Sequence, residues 1–376
     1  MGANSIGKEF AITCFGESHG RCVGAVVDGC PAGLPLKDAD IQKELNKRLP
    51  GNKEIVSGRR EEDVVEVLSG TYEGFTTGAP VCALVWNREI KSDDYYLTKD
   101  KPRPGHADYP ARIKYMGFND YRGGGRFSGR LTVPFIIAGA IARKLLEFFA
   151  IGVYAYTTEI GNIKLNSTLS FEDVRLNTYA NSVRCPQPEV AIEMEKAILD
   201  AKKEGDSVGG VVECVALNLP VGVGEPIFDS LDADIAKILF DIPAVKGVEF
   251  GVGFGAAKMK GSENNDPYVM GGDEIELDKN NAGGVLGGLS SGAPLVVRVV
   301  LKPTPSIAKE QTTVDLSIMQ ETTLSTKGRH DPCIVPKAVP VVEGCVATVI
   351  VDQMIRGGFI PKVLGVEAVE EYCGDT

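Results

Sequence analysis

The chain is 376 residues long, 43% hydrophobic and 24% charged, with a net charge of −11. That composition excludes a disordered chain, and the length allows a large core without disulfide staples. The acidic balance excludes a general nucleic-acid binder, which needs a broad basic surface.

In chain order, "MGANSIGKEF" has no basic segment leading into an apolar one, so no signal peptide is expected. Apolar and alternating runs predict strands over 9–15, 21–28, 64–68, 79–86, 151–158, 209–217, 244–251 and 294–301. Helical spacing predicts helices over 38–48, 132–148, 188–204, 231–240 and 338–355. The 132–148 and 338–355 helices are apolar nearly all round and read as buried and central. Arg143 and Lys144 leave the apolar runs of the first too short to span a bilayer, so no membrane association is expected. The polar, Gly/Asn-rich stretch 261–283 reads as a mobile flap near a site or as a disordered excursion. Nine cysteines without a CxxC pair read as free thiols in a reducing cytoplasm, with no metal site.

The chain repeats itself. "GRCVGAVVDGCPAGLPLKDADIQKEL" at 20–45 matches "GGVVECVALNLPVGVGEPIFDSLDADIAKIL" at 209–239. "GFTTGAPVCALVWN" at 74–87 matches "GLSSGAPLVVRVVL" at 288–301, and "GRFSGRLTVPFIIAGAIA" at 125–142 parallels "GRHDPCIVPKAVPVVEGCVATVI" at 328–350. Three pairs in one order, each about half the chain apart, suggest a duplication. The expected architecture is an α/β (α+β) sandwich: duplicated β-α-β layers, with buried central helices between antiparallel or mixed sheets. Residues 1–376 read as one unit with pseudo-repeats of about 9–160 and 205–360, sharing one active site.

Chemistry gathers in glycine-rich loops. The three histidines stand in "FGESHG" (His19), "RPGHAD" (His106) and "GRHDPC" (His330). Imidazole titrates near pH ~6.5, and adjacent phosphate favours its charged form, so His19 and His106 are candidate acids. Asp331 is a candidate base or an anchor for Arg329. Arg21, Arg48, Arg59, Arg60, Arg103, Arg122, Arg126, Arg130 and Arg329, with Lys302 in "LKPTPS", also lie in such segments. Glycine admits a ligand close to the backbone and arginine offers a planar donor fork, so a small, highly anionic ligand is expected. "RGGGR" fits neither the GxxxxGK[ST] phosphate loop nor GxGxxG, which disfavours a nucleotide-dependent transferase. A catalytically silent binder of a phosphorylated metabolite is the other alternative.

"GESHG", "RPGHADY", "DYRGGGR", "AVKGVEFG", "AGGVLGGLSSG", "KPTPSI" and "GRHDPC", spanning 15–333, together resemble the chorismate synthase family. The resemblance implies a lyase of the shikimate pathway to aromatic amino acids. Its reaction converts 5-enolpyruvylshikimate 3-phosphate to chorismate and phosphate by anti 1,4-elimination, with reduced FMN and no net redox change. It implies a cytoplasmic homotetramer of β-α-β sandwich protomers. His19 matches the histidine that protonates the leaving phosphate, His106 the one that balances the reduced flavin's charge, and Asp331 the aspartate that assists the flavin as base. Arg48 matches an arginine of the substrate or pyridine-nucleotide region, assigned here to substrate, and Arg103 and Arg130 match substrate-binding positions. FMN contacts map to Arg126, Phe127, Ser128, Pro243, Ala244, Gly287, Lys302, Pro303, Thr304, Pro305, Ser306 and Arg329. Phe127 and Leu131 depart from the common bacterial pattern Ser-Ser-Ala-Arg-Glu-Thr after "RGGGR". Asn52, Lys53 and Glu54 replace a segment carrying an arginine tied to NADPH. An external flavin reductant is therefore expected, not an NADPH-dependent bifunctional enzyme.

Overall fold

The computed structural model describes residues 2–49, 55, 63–88, 96–166, 169–326 and 330–374. Two five-stranded antiparallel sheets enclose a layer of helices. Across the first sheet the order is Ser5–Ile6, Ala11–Gly16, Cys22–Asp28, Val81–Trp86, Val65–Ser69. Across the second it is Ile163–Lys164, Gly152–Ile160, Gly210–Leu217, Leu295–Leu301, Val245–Phe250. Setting aside the two-residue edge strands, the strands run first, second, fourth, third in chain order in both sheets. The Gly152–Ile160 strand, assigned by sequence to the end of the first repeat, belongs to the second sheet.

Each sheet turns one side of its two-residue period inward. Leu295, Val297, Val299 and Leu301 are buried, and so are Val212, Cys214 and Ala216 on the neighbouring strand. Between the sheets lie Asp38–Asn46, Val133–Phe148, Leu231–Phe240 and Val335–Arg356. The last is long and apolar enough to cross a membrane by composition, but it is buried inside the core. It begins at Val335, earlier than its sequence pattern indicates, because Pro336 suits the first helical turn.

The two long helices touch backbone to backbone. A Cβ on Gly139 would stand 2.2 Å from Gly344 Cα, so glycine permits the crossing. The charges that interrupt these helices are paired. Arg143 reaches Glu44 at 2.6 Å and Glu343 at 3.1 Å, and Lys144 reaches Asp40 at 3.0 Å. Glu343 also accepts from Ala155 N at 3.0 Å and Tyr179 Oη at 2.8 Å. Asp352 accepts from the backbone N–H groups of Lys8, Glu9 and Phe10 at 2.8, 2.7 and 2.8 Å, which ties the N-terminal loop to the core. A buried carboxylate is tolerated only with such partners.

Stretch 261–283 has regular structure that its composition did not suggest. It contains a short helix, Gly261–Asn264, and a hairpin of Tyr268–Gly271 with Glu274–Leu277. All nine cysteines are free thiols, and burial pushes those of Cys14, Cys30 and Cys333 up to about 12.

Candidate active site

A cavity of about 700 Å³ opens where loops from both halves of the chain converge. Its wall comes from Arg48, Asp63 and parts of segments 103–107 and 123–132 of the first half. The second half adds 240–246 and parts of 301–306 and 330–341. The volume lies within the usual range for small-molecule sites.

The glycine loop is dictated locally. Gly123, Gly124 and Gly125 have φ of 60°, 83° and 53°, three successive left-handed residues that only glycine adopts readily. A Cβ on Gly123 would lie 2.4 Å from the His19 ring, and one on Gly124 would lie 3.3 Å from His106 and 3.4 Å from Arg103 Nη2. His19 is 3% exposed and sits directly behind the Gly123 wall, not on the cavity surface. His106 lines the cavity.

Asp108, which sequence reasoning passed over, organises this corner. It opens the helix Asp108–Lys114. Its Oδ2 accepts from Arg103 Nε at 2.8 Å, and its Oδ1 takes Arg103 Nη2 at 2.8 Å and His106 Nδ1 at 2.7 Å. Burial pushes this carboxyl up, but hydrogen bonds from Arg103 and His106 and their charges outweigh it and hold the group well below the usual carboxylate range. Arg103 Nη1 also donates to Ser306 Oγ at 3.1 Å, joining the "KPTPS" segment to the first half.

Asp63, also missed, joins two arginines. It is 5% exposed, accepts from Arg48 Nη1 at 2.5 Å and pairs with Arg130. Burial raises its carboxyl, and the Arg48 and Arg130 charges more than offset this, leaving it depressed. Asn87 Oδ1 accepts from Arg130 Nε at 2.9 Å. Asp63 follows two glutamates, so nothing in the sequence separates it from a solvated acidic run.

The remaining expected residues divide cleanly. Arg126, Phe127, Ser128, Pro243, Ala244, Lys302, Thr304, Pro305, Ser306 and Asp331 line the cavity. Pro303 lies between lining residues without lining it. Gly287 is remote, in the Val285–Leu286/Leu289–Ser290 hairpin, and is not part of the wall. Arg329 lies outside the described residues, as do Arg59, Arg60 and 52–54. Arg21 and Arg122 do not reach the cavity, and Arg122 pairs with Asp120 at 2.8 Å. No residue of 261–283 lines it. Leu131 is buried in the core, so the missing carboxylate there takes nothing from the wall.

Lys302 Nζ donates to Gly105 O, and burial, with Lys246 nearby, lowers its pKa. Thr304 Oγ1 donates to Asp331 O at 2.9 Å, and Lys337 Nζ lies 2.6 Å from Asp331 Oδ2. His330, Lys246 and Lys337 are further lining residues that carried no assigned role. The wall thus sets Arg48, Arg103, Arg126, Arg130, Lys246, Lys302 and Lys337 against Asp63, Asp241 and Asp331, in a protein of net charge −11. Among the described residues no group of three or more His, Cys, Asp or Glu side chains could hold a metal ion.

A family model described as chorismate synthase matches residues 10–355. The chain is 53% identical to the chorismate synthase of Dehalococcoides mccartyi, over 96% of this chain and 99% of that protein. It is also 53% identical to that of Korarchaeum cryptofilum, over 95% and 98%. A crystal structure of chorismate synthase superposes with a TM-score of 0.75 at 29% identity, covering 98% of both chains.

Proposed function

The chain belongs to the chorismate synthase family, and on that premise we propose that its cationic cavity binds reduced FMN and the substrate side by side. The reaction of the family converts 5-enolpyruvylshikimate 3-phosphate to chorismate and phosphate, which makes this enzyme a lyase. One observation carries the proposal: an acidic protein gathers seven Arg and Lys side chains around one cavity of about 700 Å³. Such a wall suits a substrate with a phosphate and carboxylates together with a flavin phosphate.

The residues present fit FMN. Gly124, without a Cβ, lets His106 and Arg103 pack against the loop backbone at the cavity edge. Phe127, Ile242, Pro243 and Ala244 give an apolar wall next to Arg126 and the Lys302–Ser306 strap. Reduced FMN supplies electron density for loss of phosphate and a basic nitrogen for the hydrogen removed from carbon.

The protein's own groups do the rest. Arg48, Arg103 and Arg130 bind and orient the substrate anions. His19, behind Gly123, is the acid for the departing phosphate. His106, with Nδ1 held by Asp108 and its ring against Arg103 Nη2, lines the cavity on the flavin side. Asp331, anchored by Lys337, offers a carboxylate to a proton at the opposite wall.

The wider reading is of a cytoplasmic homotetramer supplied by an external reductant. Free thiols support a reducing compartment. Exposed side chains such as Phe118, Phe228 and Phe254 support further association. The equal strand order of the two sheets supports the duplicated single unit.

Flavin fluorescence tests the cofactor site. FMN should be quenched on titration with enzyme and substrate, and Arg126→Ala or Lys302→Ala should weaken that binding about tenfold, the scale of one charged hydrogen bond. Equal affinity in wild type and both variants would move the flavin elsewhere.

A further inference from the structure

Arg184 lies outside the cavity, yet it holds the backbone on both sides of a cavity arginine. It is 6% exposed, and its φ of 61° places a non-glycine residue in the left-handed region. Its Nη2 donates to Lys47 O and Leu49 O, both at 3.0 Å. Its Nη1 donates to Asn181 O at 3.2 Å, and its guanidinium carbon lies 4.9 Å from the Tyr179 ring centroid. Tyr179 Oη in turn donates to Glu343 in the helix layer.

The two carbonyls that share Nη2 flank Arg48. They follow the Asp38–Asn46 helix, whose last carbonyls, on Glu44, Leu45 and Asn46, accept from Lys47, Arg48 and Leu49 N–H at 3.1 Å each, while the carbonyls of Lys47 and Leu49 turn to Arg184. Lys or solvent can satisfy a single carbonyl. Bridging two from one buried position uses the rigid fork of arginine. Burying a guanidinium against carbonyls costs desolvation, and a strained φ adds to it. Both costs fall on Arg184, which holds the turn that delivers Arg48 to the cavity and to Asp63, 2.5 Å away.

We infer that Arg184 is a positioning residue for substrate binding: it fixes the 47–49 turn so that Arg48 meets Asp63 and presents its guanidinium to the anionic substrate. This rests on the reading of Arg48 as a substrate arginine.

The test is steady-state kinetics of the full-length enzyme with reduced FMN for wild type, R48A, R184Q, R184K and R48A/R184Q. R184Q should raise KM for 5-enolpyruvylshikimate 3-phosphate about tenfold, the scale of lost charged hydrogen bonds. Its kcat should stay within about twofold, because uniform binding is what is lost. Flavin affinity should not change. R184K should recover part of the KM. R184Q should add nothing to R48A, because the two act through one contact. A wild-type KM in R184Q beside a raised KM in R48A would overturn the inference, as would full additivity in the double variant. If R48A itself keeps the wild-type KM, the substrate reading of Arg48 fails and the inference with it. Should R184Q not fold, R184K decides alone: a KM raised a few-fold supports the positioning role, and an unchanged KM overturns it.

Discussion

His106 Nδ1 lies 2.7 Å from Asp108 Oδ1, and the same carboxylate grips Arg103 through Nε and Nη2, each at 2.8 Å. One aspartate thus orients a cavity histidine and a cavity arginine together. Asp108→Asn keeps the shape and removes the charge. We expect kcat to fall by roughly 10²-fold, the scale of a mispositioned acid–base group, with KM for the substrate raised as Arg103 loosens. A variant with both parameters at wild-type values would show that the contact only stabilises the loop.

The two histidines stand in different places, His106 on the cavity wall and His19 behind Gly123. His19→Ala and His106→Ala should each lower turnover by roughly 10²-fold or more while FMN binding stays detectable. Their pH–rate profiles should differ if, as proposed, one serves the phosphate and the other the flavin side. Near-wild-type rates would remove the assigned roles, and superimposable profiles would remove the division between them.

The helix crossing sets a stability test free of the active site. Gly139→Ala directs a methyl to 2.2 Å from Gly344 Cα, whereas Gly344→Ala directs one to 3.2 Å from Gly139 Cα. Overpacking of this kind costs about 1–3 kcal/mol, so both variants should lower the thermal midpoint, Gly139→Ala the more. Equal midpoints in wild type and Gly139→Ala would mean that the helices separate freely.

Asp63 gives a pH dependence whose sign is fixed. Its carboxyl is depressed in the folded protein, so its contribution is complete above the unfolded value of about 3.9 and is lost as pH falls toward the lower folded value. Asp63→Asn leaves Arg48 and Arg130 without their shared carboxylate, and it should destabilise the protein at pH 7 by about 3–5 kcal/mol. The gap between wild type and variant should begin to narrow as pH falls below about 4 in denaturant titrations. A gap that stays constant from pH 7 to pH 3 would contradict the ion-pair origin.

The two sheets and core helices were legible because period-two and apolar patterns there have one interpretation. The strands at 210–217 and 295–301 and the helix at 231–240 lie within a residue of their predicted bounds. Glycine and proline surroundings singled out His106, His330, Arg103, Arg130 and Asp331, which line the cavity, and His19, which lies behind its wall. Asp63 and Asp108 were not, because a carboxylate beside other charges looks solvated until the fold closes arginines around it. Arg143 read as an interruption for the same reason: its partners Glu44 and Glu343 lie 99 and 200 residues away. The short helix at 108–114 and the hairpins at 268–277 and 311–324 lack the length or alternation that sequence patterns need.

The most direct measurement is anaerobic. Enzyme and 5-enolpyruvylshikimate 3-phosphate are mixed with dithionite-reduced FMN, and chorismate absorbance and phosphate release are followed together. Stoichiometric appearance of both, with none from oxidised FMN plus NADPH, is the result expected of a reduced-flavin lyase served by an external reductant. Turnover without flavin, or at full rate from oxidised FMN and NADPH alone, would contradict it.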